Sequence, residues 1–224
     1  IMIERIPDEI AKDPVYKLLL IFMKLKIPLF PLKIVLFPGG VLPLRIFEKR
    51  YVDMIRNCLR DDQGFGIVAS LNVGQENPFP FARIGVRVKI IDTDVSQPGL
   101  FNIRCLAVEK ISIISAKQQE DGLWIGDVYL LEPENEIPLP DDLINTKIYF
   151  EQLLESLKKE LKNESLLPFE KPYLLNSCNW LANRWCEILD IPLDQKQKML
   201  ELDSPLLRLD LINDILSNKD SLGN

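Results

Sequence analysis

The sequence contains no histidine. A chain without histidine cannot build the serine–histidine or cysteine–histidine pairs that activate nucleophiles, and it offers no imidazole to a metal ion. Its cysteines form no CxxC pair, which disfavours a zinc site; they are Cys58, Cys105, Cys178 and Cys186. These absences exclude the commonest nucleophilic mechanisms and structural metals, and no cofactor is expected.

Other functional signatures are missing as well. The sequence has no P-loop, no G-x-G-x-x-G dinucleotide motif and no G-x-S-x-G nucleophile elbow. The apolar run Leu18–Met23 is only six residues long, too short to cross a membrane. The net charge of −6 disfavours nucleic acid, because phosphate groups require a basic surface. Unpaired cysteines on apolar faces are typical of a reducing compartment, so the predicted location is cytoplasmic.

The pattern of the chain changes near residue 140 and predicts two subdomains. Residues 23–138 predict a β subdomain with one early helix, and residues 139–224 have the period of a helical bundle. Residues 1–22 are interpreted as an N-terminal extension, either a helix on the body or a product of start-site choice. Ile1 cannot be an initiator, whereas Met23 precedes a cleaner pattern. The predicted fold class is α+β.

Five segments between residues 65 and 132 show the short apolar or alternating patterns of β-strands. They are Phe65–Leu71, Ala82–Val95, Leu100–Val108, Lys110–Ala116 and Leu123–Glu132. The turn signals Ser96–Gly99 and Asp121-Gly122 favour hairpins between them. Consecutive hairpin-linked strands predict a mostly antiparallel sheet that curls into a small barrel.

The helices are predicted from apolar stripes and capping residues. The early helix, Glu48–Asp61, is expected to bury a stripe consisting of Tyr51, Ile55, Cys58 and Leu59. Pro172 fits the first turn of a later helix, and Ser204-Pro205 fits the start of the last one. That last helix is expected to face the core with Leu207, Leu211 and Ile215.

Few residue patterns suggest catalysis. Asp92 and Asp94 share a strand face and could hold a hard cation or act as a carboxylate pair. The pairs Lys110/Ser112 and Ser115/Lys117 are raw material for a serine–lysine dyad. We favour the ordinary interpretations, an acidic strand end and the chance neighbours of alternating strands, so the chain is not expected to be an enzyme.

Two aromatic residues in a loop suggest a binding surface. Phe79 and Phe81 flank a proline in the segment Gln75–Phe81, and large apolar side chains on a loop are typical of binding surfaces. In the alternative interpretation, the two rings fold back and close one end of the barrel. Both interpretations stay open on the sequence alone.

The most apolar segment, IPLFPLKIVLFPGGVLPLRIFEKRY at residues 27–51, contains four prolines. Pro28 and Pro31 are assigned to an edge strand, where a missing N–H costs no hydrogen bond, and Pro43 to the start of the next strand. The group Pro38-Gly39-Gly40 predicts a turn that needs one fixed and one permissive φ angle. The segment is therefore interpreted as structural.

The same segment resembles the opening of the Lon protease N-terminal, substrate-binding domain family. The resemblance rests on Pro38, Gly39, Gly40, Glu48, Arg50 and Tyr51 within an "LPLF-P…VLFPG…LPL-IFE-RY" pattern. The later helices fit too, through Asp194–Leu202 and Arg208-Leu209, so the resemblance covers about residues 25–217. It implies a PUA-like β pseudo-barrel followed by a helical bundle, in a stand-alone form without the ATPase and protease modules.

The resemblance also implies a function. The leading hypothesis is a non-catalytic module that recognises apolar segments of partner or unfolded proteins, with a protease or chaperone system as a further candidate partner. Nucleic acid and membrane are not expected as partners, and the oligomeric state is left open. The alternative is RNA binding, since PUA-like folds elsewhere bind RNA and since Arg83, Arg87 and Lys89 share one strand face. A hydrolase that uses Asp92 and Asp94 ranks third.

Overall fold

The computed structural model describes residues 24–71, 77–97, 99–161, 167 and 169–222. The predicted extension 1–22 and the first part of the Gln75–Phe81 loop lie outside the described residues. The six strands are β1 (Leu25–Leu32), β2 (Val41–Ile46), β3 (Phe65–Ala69), β4 (Ile84–Gln97), β5 (Leu100–Gln118) and β6 (Trp124–Leu130). The helices are α1 (Lys49–Asp61), α2 (Ile144–Glu160), α3 (Cys178–Ile188), α4 (Leu193–Glu201) and α5 (Pro205–Leu222), with a 3-10 turn at Asp141–Leu143.

The sheet closes on itself as the hairpin pattern predicts. Its strand order is β2-β5-β4-β3-β1-β6, and β6 also pairs with the second half of β5. All strand pairs are antiparallel except β1 with β3, which are parallel. Five strands therefore form a barrel, and β2 extends it along the first half of β5. The α+β class and the barrel are confirmed.

The longest strand corrects one prediction. Leu100–Val108 and Lys110–Ala116 were predicted as separate strands, but they are halves of the single strand β5. The ladder of β5 with β4 shifts register at three places, and its ladder with β6 shifts once, between Ile113 and Ser115. Such bulges bend a strand without ending it. The strand can therefore pair with β2 through its first half and with β6 through its second.

The prolines of β1 occupy a different place from the predicted edge. β1 lies between β3 and β6, so it is not an edge strand. Its first half, with Pro28, pairs in register with β6, and its last residues, with Pro31, pair in register with β3. Each proline therefore lies in a half-strand with one registered neighbour. A proline lacks the N–H that a second neighbouring strand would use. In each half of β1 that loss costs little, because only one neighbour is paired in register there.

Helices α1 and α3 each differ from the prediction in one respect. Leu59 is exposed, and α1 buries Met54 and Val52 instead. Pro172 precedes α3 by several residues; that helix begins after Ser177, whose hydroxyl accepts a hydrogen bond from Trp180 N at 3.0 Å. A polar side-chain cap thus sets the start of the helix, rather than the proline.

The last helix turns a different face to the core. Ser204 caps it as predicted, accepting a hydrogen bond from Leu207 N at 3.2 Å. Of the predicted stripe, Leu207 and Leu211 are exposed and Ile215 is half-buried against the core, whereas Leu209 and Ile212 are fully buried. A leucine-rich helix has apolar residues on more than one face, so spacing alone does not select the buried one. Arg208, fully buried beside them, fixes the orientation through hydrogen bonds described below.

The largest apolar cluster contains residues of both the barrel and the helices, from Phe30 and Phe65 through Phe150 and Trp185 to Ile212. The division at residue 138 stays a prediction, because this shared core gives the two parts a continuous interior. All four cysteines are buried and free within it, as the sequence predicts for small core residues. Burial raises the pKa of Cys105 and Cys186 to about 12, which keeps both thiols protonated and unreactive.

Candidate binding groove

A tight turn joins β1 to β2, and the candidate groove lies beside it. Gly39 has φ +81°, a conformation that favours glycine, and Gly40 N donates to Phe37 O at 2.9 Å. Gly39 N also donates to Ala107 O, and Ala107 N donates to Gly40 O, both at 2.9 Å. Two residues thus oppose one, which is the pattern of a glycine β-bulge. The predicted turn at Pro38-Gly39-Gly40 is confirmed.

Helix α3 holds this turn from the other part of the fold. Arg184 donates to the carbonyl oxygens of Phe37 at 3.4 Å and Pro38 at 3.0 Å. Glu187 accepts a hydrogen bond from Phe37 N at 3.0 Å, and it pairs with Arg184 at 2.9 Å. Burial raises the pKa of Glu187 above its ordinary value, although Arg184 acts in the opposite direction. A buried ion pair therefore connects this turn to the helices.

Beside the turn lies a groove of about 440 Å³ between the barrel and the helices. Three segments form it: the start of the β1–β2 connection, the start of β2 and the junction of α3 with α4. Eight of its eleven lining residues are apolar, namely Ile34, Val35, Leu36, Val41, Leu42, Pro43, Ile191 and Leu193. The other three are Lys33, Glu187 and Lys196. A mainly apolar surface with a few polar groups is typical of binding sites.

One wall of the groove is the outer edge of β2, the last strand in the sheet order, which pairs with no described strand other than β5. At its start this edge meets Phe169, which forms an isolated antiparallel bridge with Gly40, the residue before β2. The hydrogen-bonded pair Gly40/Ala107 fixes the alternation of the antiparallel ladder. The backbone groups of Val41, Pro43 and Arg45 therefore point away from β5. Pro43 has no N–H to lose on that side, which explains its place in β2.

Two lysines give the groove its positive charge. Lys33 is exposed, and Lys196 is half-buried, donating to the backbone oxygen of Glu187 at 3.0 Å. Burial lowers the pKa of Lys196, while Glu187 and Asp190 act to raise it. The carboxylate of Glu187 is already paired with Arg184. Among the described lining residues, the available charge is thus positive, although the whole chain is acidic.

A larger depression of about 750 Å³ lies on the β5–β6 hairpin. Its lining is polar apart from Ile125, and includes Lys26, Lys117 and Asp127. Asp127 accepts a hydrogen bond from Ser115 at 2.7 Å and pairs with Lys24 at 3.0 Å. A surface of mutually paired charges offers little to an apolar segment, so the smaller groove is the better candidate for the expected ligand.

The two phenylalanines that suggested a binding loop lie against the barrel. Phe81 is 0 % exposed, and Phe79 is half-buried and stacked on it with ring centroids 5.5 Å apart. Trp124 meets the Phe81 ring edge-on at 5.3 Å. The alternative interpretation, in which the rings fold back and close the barrel, describes this arrangement. Their role in binding stays a prediction, and Phe81 offers no surface in this conformation.

Replacing Phe81 by alanine should therefore reduce stability rather than a surface contact. The ring is fully buried in the cluster that holds Leu29, Val68 and Ile111. We expect the free energy of unfolding to fall by about 3–5 kcal/mol in urea denaturation, the usual cost of emptying a buried phenylalanine site. The same change at Phe47, which is 70 % exposed, is the control and should leave the urea midpoint nearly unchanged. Equal effects at the two sites would contradict the assignment.

The remaining motif residues join α1 to the barrel. Arg50 donates to Glu48 at 2.8 Å and to Gly122 O at 2.9 Å, and its guanidinium lies over the Tyr51 ring at 4.6 Å. Tyr51 stacks in turn on Phe30, with ring centroids 4.0 Å apart. Each motif residue thus has a packing or hydrogen-bonding contact that explains its presence without a ligand.

A second buried polar cluster joins the barrel to α5. Arg208 donates to Glu134 at 2.6 Å, and Lys110 of β5 donates to the same carboxylate at 3.1 Å. Arg208 also donates to Asn183 Oδ1 at 2.6 Å and to Met199 O at 2.9 Å. Burial alone would raise the pKa of Glu134, but Arg208 and Lys110 outweigh it and hold the pKa below its ordinary value. The Glu134 carboxyl group is therefore ionised at neutral pH.

The residues considered for catalysis are engaged elsewhere. The Lys110 ammonium contacts Glu134, and Ser115 donates to Asp127, so neither proposed serine–lysine pair is assembled. Asp92 and Asp94 are exposed, and the described part of the chain holds no cluster of three potential metal ligands. For the RNA alternative, Arg87 is paired with Glu109 at 2.9 Å, which neutralises the centre of the proposed basic face.

Comparison with known proteins identifies the family. Residues 26–218 match the ATP-dependent protease La (LON) substrate-binding domain. The chain belongs to this family. Among solved structures, the Lon N-terminal domain protein from Xanthomonas campestris superimposes with a TM-score of 0.67 at 28% identity, covering 84% of this chain and 96% of that one. The N-terminal domain of Mycobacterium avium complex Lon protease gives 0.57 at 17% identity, with 85% and 97% covered, and supports the fold alone.

The similarity extends to much longer proteins. Lon protease of Anaeromyxobacter dehalogenans is 24% identical over 205 residues, which are 86% of this chain and 23% of that protein. Protein cereblon of Gallus gallus is 28% identical over 116 residues, 50% of this chain and 25% of that protein. This chain thus spans about a quarter of the length of these relatives. None of its described helices is long and apolar enough to cross a membrane.

Proposed function

We propose that this Lon-family chain binds apolar segments of partner or unfolded polypeptides in the groove between β2 and the α3–α4 junction, without catalysing a reaction. The observation that carries the proposal is the lining itself, in which eight of eleven residues are apolar, beside a β2 edge that pairs with no other described strand from Pro43 onward. Membership of the substrate-binding domain family supports the same role. Apolar surface of this kind gains free energy when a ligand side chain removes it from water, by about 25 cal/mol for each Å².

The test measures binding of an unfolded polypeptide to groove variants. Ile34 is half-buried, lines the groove and lies outside the strands, so Ile34→Ser should leave the fold intact. We expect it to weaken the binding of fluorescein-labelled reduced casein about fivefold in an anisotropy titration, through lost apolar contact area. Ile148→Ser is the matched control, because Ile148 is exposed on α2 outside the groove.

Either of two results would count against the proposal. Equal losses in both variants would show that any exposed apolar residue serves equally, and unchanged affinity in Ile34→Ser would place binding elsewhere. The variant Phe79→Ser tests the loop prediction in the same assay. Because Phe79 packs on Phe81 beside the barrel, we expect it to retain casein binding.

A further inference from the structure

The outward edge of β2 specifies how a polypeptide would lie in the groove. The carbonyl oxygens of Pro43 and Arg45 and the N–H group of Arg45 point away from β5. Val41 lies beside the bridge of Gly40 with Phe169 on the same side, so the edge open to a ligand begins at Pro43. Backbone groups in such a row pair readily with an added strand. Pro43 offers an acceptor only, because it has no N–H.

The apolar residues of the groove lie beside that edge. Ile34, Ile191 and Leu193 face the space next to Val41 and Pro43, and all five line one cavity. Successive side chains of an added strand point to opposite sides. One set of alternate side chains would therefore enter the apolar groove, while the other set would face away from it.

The groove also has a preference of charge. Lys33 and Lys196 line it, and the carboxylate of Glu187 is neutralised by Arg184. Burial costs the Lys196 ammonium part of its hydration, which a carboxylate on the ligand would replace with a charge-assisted hydrogen bond. A basic ligand would meet two like charges there.

We infer that the groove takes an extended polypeptide segment that adds to the edge of β2, places alternate apolar side chains in the groove and carries a carboxylate near Lys196. The inference rests on the proposed function and specifies its ligand class. It distinguishes a β-strand ligand with an acidic residue from a helix or a chain of arbitrary charge.

The backbone part is tested with N-methylated peptides. The probe is a fluorescein-labelled octapeptide, Gly-Ser-Val-Leu-Val-Glu-Ser-Gly, and its two isomers carry N-methyl groups on one or the other set of alternate amides of the central four residues. Both isomers lose the same number of donors, but only one set can face β2. We expect one isomer to bind about tenfold more weakly than the other, the equivalent of roughly one hydrogen bond. Equal affinities would overturn the strand geometry.

The charge part is tested by exchanging the ligand's glutamate for lysine. We expect the glutamate peptide to bind about fivefold more tightly than the lysine peptide at low salt, and the preference to shrink at 1 M salt, where charges are screened. Lys196→Met should abolish the preference for glutamate. Lys159→Met, at an exposed position of α2, should not change it. A preference that survives Lys196→Met would overturn the assigned role of Lys196.

The outcomes separate this inference from the proposed function. If all the octapeptides bind equally and the Ile34→Ser variant still loses affinity, the groove binds apolar segments but without strand addition or charge selection. If none of the peptides binds and casein binding is also unaffected by Ile34→Ser, the proposed function itself fails.

Discussion

Replacing Arg208 by methionine is expected to lower the free energy of unfolding by about 3–5 kcal/mol, the usual cost of breaking a buried ion pair by removing one partner. The guanidinium is almost wholly buried and donates to Glu134, Asn183 and Met199. Without it, Lys110 is the one cationic partner left to Glu134 among the described residues. For a domain whose total stability is about 5–15 kcal/mol, this is a large fraction. Urea denaturation followed by tryptophan fluorescence measures it.

A surface arginine provides the control for this prediction. Arg60 pairs with Asp61 at 2.8 Å on the exposed side of α1. Exposed pairs contribute little because water and salt screen them, so Arg60→Met should leave the urea midpoint unchanged. If Arg208→Met stayed within about 1 kcal/mol of the original protein, the cluster would not be the connection between barrel and α5 described above.

A methyl group on Gly40 is expected to destabilise the fold by about 3 kcal/mol, the cost of forcing atoms into a well-packed site. The added Cβ would overlap the Glu187 carboxylate, and it would lie 2.9 Å from Phe37 O and from a methyl group of Leu36. Glu187 cannot easily move, because it is buried and paired with Arg184. The Gly40→Ala variant, measured by urea denaturation, should also lose casein binding, since the turn joins the lining residues Leu36 and Val41.

Two further variants separate packing from backbone strain. Gly99 has φ +84° and open space around its Cβ position, so Gly99→Ala should cost only about 1 kcal/mol of left-handed strain. In the double variant Gly40→Ala/Glu187→Ala, removal of the carboxylate relieves part of the overlap. The double variant should therefore lose less unfolding free energy than the sum of the losses in the two single variants, by about 1 kcal/mol. Strict additivity would contradict a direct clash between the two residues.

Most of the barrel could be predicted from the sequence because its signals are local. Alternation defined β4, and the left-handed Gly39 and Gly122 turns follow from Pro38-Gly39 and Asp121-Gly122. Local signals failed where long-range contacts decide the outcome. A glutamate and a lysine interrupt the apolar pattern near residue 109, which suggested that a strand ends there. In the structure β5 continues past this point as one strand, with bulges in its ladder.

The candidate site was harder to predict than the fold. Ile34, Leu42, Ile191 and Lys196 meet only after folding, and nothing in their local sequence marks them as neighbours. Phe81 shows another limit of the sequence, because an apolar residue in a loop allowed both an exposed and a folded-back interpretation, and only the structure places its ring in the core. The sequence of α5 contained one usable signal. Arg208 lies beside Leu209 within a leucine-rich sequence, and an arginine in such a place suits a buried position where hydrogen bonds satisfy it. That signal would have favoured the face that the structure buries.

The Lon-family opening motif therefore contributes to the proposed function indirectly. Its prolines and glycines build a turn that α3 clamps through Arg184 and Glu187, and this clamp fixes the position of β2 beside the α3–α4 junction. The groove exists because barrel and helices meet at that turn. A rigid apolar groove loses little conformational entropy on binding, which favours recognition of many related segments.

Amide hydrogen exchange with and without the octapeptide Gly-Ser-Val-Leu-Val-Glu-Ser-Gly tests the central claim most directly. The N–H group of Arg45 points away from β5, on the part of the β2 edge that pairs with no described strand, and should exchange readily in the free protein. We predict that saturating peptide slows its exchange at least about tenfold, the effect of forming a new hydrogen bond, while amides near Phe79 keep their rates. Protection confined to residues 77–82, or unchanged exchange at Arg45 with the peptide bound, would contradict binding in the groove.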